Sequence, residues 1–413
     1  MYLTKEEEEM LKGSMGYAVE KSMEILVTLG EIYGAENMVP VSNVHMPGSS
    51  VVVAGDAGSA FVEEIASTGV KFKTYTTLNP AAVDFERWVE IGIPSEYFQK
   101  QKKLSLAYHS MGGILCHTCT PYLTGNLPRS GEHVSWGESS AVSFVNSVLG
   151  ARTNREGGPS ALASAITGRT PMYGLHLGEN RKGKLLVRVS TRLGTVTDYG
   201  SLGYYVGTIC GGNNPVFTGI PTDVSSDQLK MLGAALASSG SVALYHVERV
   251  TPEARSLDEA FKGEKPSEIL DFGEEELRGA SEDLSKAKIC EVDVVCIGCP
   301  HNSIYEIRSI AELLRSRKIR SDVRFWICAA SSVKSLSDRM GYTEIVEGAG
   351  GTFMCDTCPV LAPVKEISRR DNLNILATNS AKLAHYGIGQ CNLHPHYGEL
   401  ERCVLAATTG RWV

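Results

Sequence analysis

The sequence predicts an α/β fold in which several mostly parallel sheets form a multi-domain core. Short apolar runs, typical of buried strands, end in Gly, Ser, Asn or Pro loops. Helical patterns follow these loops, and repeated strand, loop and helix units are typical of α/β layers. The length of 413 residues fits two or three domains at ~150 residues each. In such folds, ligands bind beyond the carboxyl ends of the strands.

The first predicted element is a helix that begins after Thr4, because Thr4 and Glu7 have the spacing of a capping box. Another helix start is predicted at Thr251, where proline and glutamate follow. Four apolar runs predict buried strands: residues 241–247, 291–298, 322–330 and 373–379. We predict three α/β domains whose segments can interleave: residues 1–115, residues 116–282 with a long polar block, and residues 283–413 with two motif cysteines.

The composition argues against several classes of protein. The net charge is −7, and no block of Lys and Arg is long enough to follow a phosphate backbone, so no nucleic-acid partner is expected. No apolar run is long enough to span a bilayer, and the N-terminal sequence is acidic where a targeting peptide would be basic. The 11 cysteines are an odd number. Together these features predict a reducing, cytoplasmic location, where spaced cysteines more often indicate metal binding or catalysis than disulfides.

Six of the cysteines form three Cys-x-x-Cys pairs: CHTC (116–119), CIGC (296–299) and CDTC (355–358). In each pair the first cysteine closes an apolar run, and proline follows the second within two residues. Because proline cannot continue a sheet ladder, the first cysteine is predicted to end a strand and the second to lie in a loop, free to face a site. The pairs are too widely spaced for a zinc ribbon. Three convergent loop thiolates indicate a metal or iron–sulfur site; buried structural thiols and redox dithiols remain alternatives.

A block of polar and small residues from position 131 to position 171 is the second candidate for a site. Two helical patterns flank its centre, the first with Ser139 or Ser140 as the predicted N-cap. Arg152 and Arg155 lie between the two patterns and could bind a carboxylate or a phosphate. Glu138 precedes the first helix start, and helix N-termini attract anions. The alternative is a solvated loop with surface ion pairs.

Three shorter loops fit the same interpretation, although each could be an ordinary turn. HMPGSS (45–50) places a glycine before two hydroxyl groups, and TYTTLNP (74–80) ends a strand-like run. TNSAKLAHYG (378–387) follows the last predicted strand, so its polar side chains would meet an anion at a helix start. The candidate residues of these loops are Gly48, Ser49, Ser50, Asn79, Pro80, Asn379 and Lys382.

Several long motifs together resemble the aconitase X family, and the resemblance extends along nearly the whole chain. The motifs are CTPY (119–122), EHVSWGESSAV (132–142), NSVLGARTNREGGPSALASAITGRTP (146–171), GCPH (298–301) and DTC (356–358). The family contains dehydratases built on the aconitase plan, in which a large catalytic part works with a smaller swivelling domain. At this length the chain resembles the separate large subunit, without the swivel domain.

The resemblance also implies a cofactor and a set of site residues. Matched motif by motif, Cys119, Cys299 and Cys358 would be the ligands of a [4Fe-4S] cluster, with [2Fe-2S] or [3Fe-4S] as alternatives. Three protein ligands leave one iron open as a Lewis acid. The implied substrate pocket is lined by Gly48, Ser49, Ser50, Asn79, Pro80, Glu138 and Ser139, with Arg152 and Arg155 as further contacts to an anion.

The activity implied by the resemblance is the dehydration of (R)-5-phosphomevalonate to trans-anhydromevalonate 5-phosphate in a modified mevalonate pathway of isoprenoid synthesis. The alternative within the family is dehydration of cis-3-hydroxy-L-proline. A third possibility, from another class, is a non-catalytic scaffold that binds a cluster or zinc. Because aconitase-type enzymes place an essential serine on the swivel domain, a small swivel subunit is the expected partner. The isolated chain is therefore expected to be inactive.

Overall fold

The computed structural model describes residues 1–413 as alternating helices and strands. The helices are α1 (Lys5–Leu11), α2 (Tyr17–Ile32), α3 (Val51–Ser67), α4 (Trp88–Ile91), α5 (Ser95–Ser110), α6 (Ser139–Ser147), α7 (Gly158–Thr167), α8 (Val196–Cys210), α9 (Ser226–Gly240), α10 (Leu257–Phe261), α11 (Glu274–Leu284), α12 (Ile304–Leu314), α13 (Ser331–Arg339), α14 (Tyr342–Ala349), α15 (Val364–Arg370), α16 (Ala381–Tyr386) and α17 (Leu400–Thr409). The strands are β1 (Met38–Pro40), β2 (Asn43–Met46), β3 (Tyr75–Leu78), β4 (Ser135–Trp136), β5 (Arg169–Pro171), β6 (Leu185–Val189), β7 (Pro215–Thr218), β8 (His246–Val247), β9 (Glu268–Phe272), β10 (Val294–Ile297), β11 (Arg324–Ala329), β12 (Thr352–Cys355), β13 (Ile375–Thr378) and β14 (His394–Tyr397). No helix is both long and apolar enough to cross a membrane.

The N-terminal part of the chain contains a parallel three-stranded sheet in the order β3-β2-β4. His45 on β2 pairs with Thr77 on β3 and with Trp136 on β4, so the carboxyl ends of the three strands meet at one edge. The residues that leave that edge are those of the HMPGSS, TYTTLNP and SWGESS segments. Strands β1 and β5 form a separate antiparallel pair. The predicted domain limit at residue 115 falls between strands of this one sheet.

The C-terminal part contains a five-stranded parallel sheet in the order β12-β11-β10-β13-β14. Cys299 follows β10 and Cys358 follows β12, while Lys382 lies in the helix that follows β13. Three candidate residues therefore come from the carboxyl edge of this sheet. This is the edge at which ligands bind in α/β folds.

A four-stranded parallel sheet in the order β8-β7-β6-β9 lies in the middle of the chain. Its apolar core is separate from the others and includes Phe217, Tyr245 and Phe272. The largest core instead joins the N-terminal and C-terminal sheets, because Val44 and Leu78 belong to the same buried cluster as Val294 and Leu376. The candidate site therefore rests on two sheets that share one core.

The structure confirms three of the four predicted strands, at 291–298, 322–330 and 373–379, within a few residues at each end. The prediction for 241–247 is wrong over most of its length, since only His246–Val247 is a strand. Ser241 has a left-handed conformation at the end of α9. The Tyr245 N–H donates to Ser147 Oγ over 2.8 Å. The backbone of this apolar run is thus engaged outside a sheet.

The predicted helix starts differ in outcome. The capping box at Thr4 is present, with the Glu7 N–H donating to Thr4 Oγ1 over 3.3 Å and the Thr4 N–H donating to Glu7 Oε2 over 2.8 Å. The start at Thr251 is wrong, because Thr251 Oγ1 accepts the Val247 N–H over 2.9 Å and closes a turn. The helix there is α10, and its N-cap is Ser256. The Thr251 hydroxyl, which precedes Pro and Glu in the sequence, therefore closes a turn and does not cap a helix.

Candidate active site

A cavity of about 400 Å³ lies between the carboxyl edges of the N-terminal and C-terminal sheets. The second cysteine of each Cys-x-x-Cys pair, Cys119, Cys299 and Cys358, lines it. The structure thus brings together three predicted residues that are far apart in sequence. The remaining lining residues are Pro47, Gly48, Ser50, Val52, Val53, Asn79, Pro80, Gly137, Glu138, Ser139, Arg155, Val360, Leu361, Lys382, Tyr386 and Gln390.

The first cysteines of the pairs do not line this cavity. Cys296 is fully buried within β10, with its Sγ 3.7 Å from that of Cys328, and Cys355 is the last residue of β12. Cys116 lies outside a regular strand and is half-buried. Its Sγ is 3.6 Å from the Leu78 carbonyl oxygen. The strand prediction therefore holds for Cys296 and Cys355 and is wrong for Cys116.

The three cavity thiols are buried, with 4 to 7% of each residue exposed. Burial raises the pKa of all three, that of Cys358 to about 12, while the Lys382 ammonium acts in the opposite direction. Ionisation of each thiol to a free thiolate is therefore unfavourable. A bound metal, by contrast, deprotonates a coordinating thiol outright. No set of three or more His, Cys, Asp or Glu side chains is arranged around a single metal-ion position. The donors, three soft sulfur ligands facing one cavity, fit an iron–sulfur cluster.

A buried ion pair, Glu138 with Lys382, lies beside the thiols. Lys382 Nζ donates to Glu138 Oε1 over 2.6 Å and to Ser139 Oγ over 3.2 Å. Burial raises the pKa of Glu138, but Lys382 and hydrogen bonds lower it, and the net value is about 2. Burial lowers the pKa of Lys382, but Glu138 together with Cys299 and Cys119 raises it, and the net shift of the pKa is upward. Both groups are therefore charged at neutral pH.

Glu138 is held in place by the start of α6. Its Oε2 accepts the Ala141 N–H over 2.6 Å and the Ser140 hydroxyl over 2.7 Å. Glu138, not Ser139 or Ser140, is thus the N-cap. The Glu138 carboxylate accepts the N–H of the residue three positions further on. The hydroxyls of Ser139 and Ser140 donate to this carboxylate and do not cap the helix themselves. Gly137 before it is required for close packing, because a Cβ there would lie 2.4 Å from the Glu156 carbonyl oxygen.

The loop from position 47 to position 50 forms another part of the wall. Gly48 has a φ of +70°, a conformation that favours glycine. Ser50 caps α3 through the Val52 N–H (3.3 Å) and donates to the Leu361 carbonyl (3.3 Å). Ser49 does not line the cavity; its hydroxyl donates to the Asn79 carbonyl over 2.5 Å and so connects two loops that do. Asn79 Oδ1 is buried without a hydrogen-bond partner, which leaves it available to a ligand.

The two arginines of the polar block differ in position. Arg155 lines the cavity, is exposed and makes no ion pair. Arg152 does not reach the cavity; its side chain donates to the His176 carbonyl over 3.2 Å. Asn379 also lies outside the cavity lining, although it is buried. Local sequence placed all three near a polar loop, but packing directs only Arg155 toward the cavity.

Sequence reasoning missed several lining residues. Tyr386 and Gln390 follow Lys382 at intervals of four residues, a spacing that predicts one helical face and could have identified them. Val360 and Leu361 directly follow the cysteine loop and its proline. The apolar Val52 and Val53 carry no signal in the sequence that separates them from core residues. They are 44% and 59% exposed, so part of the cavity rim is apolar.

Comparison with known proteins agrees with this architecture. The models of the aconitase X first domain, second domain and third domain match residues 1–179, 183–282 and 292–409. The chain therefore belongs to the aconitase X family. The crystal structure of Thermococcus kodakaraensis aconitase X in its holo-form is similar with a TM-score of 0.89 and 42% identity, covering 98% of this chain and 100% of that one.

The names of similar curated proteins indicate which class of reaction this family catalyses. The phosphomevalonate dehydratase large subunit of Methanothermobacter thermautotrophicus is 47% identical over 97% of both chains, and that of Methanocaldococcus jannaschii is 45% identical over 97% of this chain and 98% of its own. The cis-3-hydroxy-L-proline dehydratase of Pseudomonas aeruginosa is 35% identical over 98% of this chain and 70% of its own. Both groups are named as dehydratases, and this chain is a dehydratase of the same family.

Proposed function

We propose that the chain is the large catalytic subunit of a hydro-lyase that dehydrates (R)-5-phosphomevalonate to trans-anhydromevalonate 5-phosphate in a modified mevalonate pathway. The observation that carries the proposal is the cavity, where three buried thiols, a charged Glu138–Lys382 pair and the unpaired Arg155 face one space. Two relatives of 45% and 47% identity and nearly equal length are named phosphomevalonate dehydratase large subunit. The location we propose for the enzyme is the cytoplasm.

In this proposal Cys119, Cys299 and Cys358 hold a [4Fe-4S] cluster, with [2Fe-2S] and [3Fe-4S] as alternatives. When bound, a cluster with only three protein ligands supplies an open iron that acts as a Lewis acid toward a carboxylate and a leaving hydroxyl. The protein's part is to keep the three sulfurs buried on loops anchored to strand ends. Ser380 contributes by donating a hydrogen bond to the Cys299 carbonyl while it caps α16.

The chain's own polar groups would bind and orient the substrate. Phosphomevalonate carries a carboxylate at one end and a phosphate at the other. Lys382 supplies a positive charge next to the thiols, which suits it to the carboxylate. The unpaired Asn79 Oδ1 only accepts, so it suits the leaving hydroxyl, which can donate to it. Arg155, at the exposed side of the cavity and without an ion pair, suits the phosphate, because a guanidinium binds phosphate through two parallel hydrogen bonds.

The reaction removes a proton from the carbon next to the carboxylate and hydroxide from the following carbon, so one C–H and one C–O bond break, a C=C bond forms, and water leaves. Glu138 is the carboxylate among the lining residues, but Lys382, Ser140 and the Ala141 N–H already bind its oxygens. We therefore propose that the general base comes from a small swivel-domain subunit. The relatives' name, large subunit, supports such a partner.

The first test compares two substrates with the chain alone and with its small subunit. We expect turnover of phosphomevalonate only when both subunits are present, and no turnover of cis-3-hydroxy-L-proline. The protein is purified without oxygen, its visible absorption and iron content are recorded, and product is measured by mass spectrometry.

Turnover of hydroxyproline alone would refute the proposed substrate. A colourless protein with stoichiometric zinc and no turnover would favour the non-catalytic scaffold. Activity of the large chain without a partner would show that the base lies within this chain.

A second prediction concerns the phosphate. Replacing Arg155 by glutamine should raise KM for phosphomevalonate by roughly 10- to 100-fold, since a hydrogen bond to a charged group contributes about 1.5–3 kcal/mol. Arg152→Gln is the matched control, because Arg152 does not reach the cavity. Equal KM changes in the two variants would contradict phosphate binding by Arg155. Steady-state kinetics of the two-subunit enzyme provide the measurement.

A further inference from the structure

His301 lies where the three cysteine loops meet, and it is not among the residues that line the cavity. It follows Cys299 by two residues in the chain, and it is fully buried, with 0% exposed. Its backbone N–H donates to Cys119 Sγ over 3.2 Å. One residue thus belongs to the loop of Cys299 and contacts the thiol of Cys119 directly.

The imidazole ring of His301 reaches the two other loops. Nε2 lies 2.9 Å from the carbonyl oxygen of Thr357, the residue before Cys358. A carbonyl oxygen only accepts, so Nε2 carries a hydrogen and donates it. Nδ1 lies 3.1 Å from Oγ1 of Thr118, the residue before Cys119, although the two residues are 183 positions apart in sequence.

The surroundings of the ring hold it in this position. Thr118 Oγ1 also accepts the Thr120 N–H over 3.1 Å, which fixes the hydroxyl that faces Nδ1. The His301 carbonyl accepts a hydrogen bond from Lys230 Nζ at 3.4 Å. Lys230 is itself buried and paired with Asp227 (3.0 Å) and Glu306. A satisfied buried network of this kind is rigid, and removal of one member leaves unpaired groups.

We propose that His301 is the positioning residue of the thiol site: it ties the loops of Cys119 and Cys358 to that of Cys299 before a cluster is bound. The proposal rests on the proposed function only in treating the three thiols as cluster ligands. Some residues do not bind a metal but hold its ligands in place through hydrogen bonds. Replacement of such a residue typically lowers metal affinity by about 10- to 100-fold. His301→Leu keeps a similar side-chain volume but removes both hydrogen bonds of the ring. His301→Gln restores a hydrogen-bond donor near the position of Nε2.

The experiment measures the reactivity of each cysteine in the cluster-free chain under anaerobic conditions, by iodoacetamide pulses and peptide mass spectrometry. In His301→Leu, alkylation of Cys119 and Cys358 should become about tenfold faster or more, because the loss of buried hydrogen bonds raises the population of open loop conformations by about that factor. The core cysteine Cys403 should keep its rate. In His301→Gln, at least half of the protection should return. His246→Leu is the matched control, because His246 is equally buried and donates from Nε2 to the Arg181 carbonyl over 2.7 Å in a different core.

Iron loss to a chelator after cluster reconstitution is the second readout, and we expect it to be about tenfold faster in His301→Leu than in His246→Leu. Unchanged alkylation of Cys119 and Cys358 would overturn the proposal. So would a uniform increase at every cysteine, which would show general destabilisation. If the unsubstituted chain takes up no iron, the proposed function fails, whereas the alkylation rates still decide whether His301 holds the loops.

Discussion

Replacement of Cys358 by serine is expected to abolish stable cluster binding and to lower the dehydratase activity of the two-subunit enzyme by at least about 10³-fold. Cys358 lines the cavity with Cys119 and Cys299 and is 5% exposed. A Lewis acid contributes several kcal/mol of charge stabilisation, and each 1.36 kcal/mol corresponds to a tenfold change in rate. Iron and sulfide content, visible absorption and turnover are the measurements.

The matched control is Cys355→Ala, in the same Cys-x-x-Cys pair. Cys355 ends β12 and packs in the apolar core with Phe353 and Ala329. Its replacement should cost about 1 kcal/mol of stability, as for a small deletion in a core, and should leave the iron content unchanged. If Cys355→Ala lost iron while Cys358→Ser retained it, the assignment of ligands within the pairs would be reversed.

Replacement of Lys382 by methionine is expected to destabilise the protein by about 3–5 kcal/mol, because it leaves Glu138 as an uncompensated buried charge. Both side chains of the pair are only 8% exposed, and the two charged atoms are 2.6 Å apart. We also expect loss of activity, since Lys382 is the fixed cation beside the thiols. Urea unfolding followed by circular dichroism measures the first effect and turnover the second.

The two effects of Lys382→Met can be separated by the double variant Glu138→Gln with Lys382→Met. Glutamine still offers an oxygen to the Ala141 N–H, and a neutral pair removes the unpaired charge, so most of the lost stability should return. Activity should not return. The control Lys365→Met alters an exposed lysine without an ion pair and should change stability by less than about 0.5 kcal/mol. Recovery of activity in the double variant would show that Lys382 has only a structural role.

Much of the fold follows from local sequence. The strands β10, β11 and β13 are short apolar runs bounded by turn residues, and their burial on both faces of a parallel sheet requires such runs. The run at 241–247 is also short and apolar, yet only its last two residues form a strand. Within it, the Tyr245 N–H donates to Ser147 at the end of α6 and not to a neighbouring strand. The two residues are 98 positions apart in sequence, so a pattern of neighbouring residues cannot predict this contact.

The sequence by itself determined the strand-and-loop asymmetry of two Cys-x-x-Cys pairs, at 296–299 and 355–358, because a proline after the second cysteine ends the ladder and puts that residue in a loop. It also located the ends of β2 and β3, because Pro47 and Gly48 follow β2 and Asn79 and Pro80 follow β3. Only the tertiary structure decided which of these loops converge. It directed Arg155 but not Arg152 into the cavity, chose Glu138 as the helix cap, and placed His301 between three cysteine loops. The physical reason is that strand ends are set by neighbouring residues, whereas the direction of a buried polar side chain is set by partners from distant segments that must satisfy its charge and hydrogen bonds.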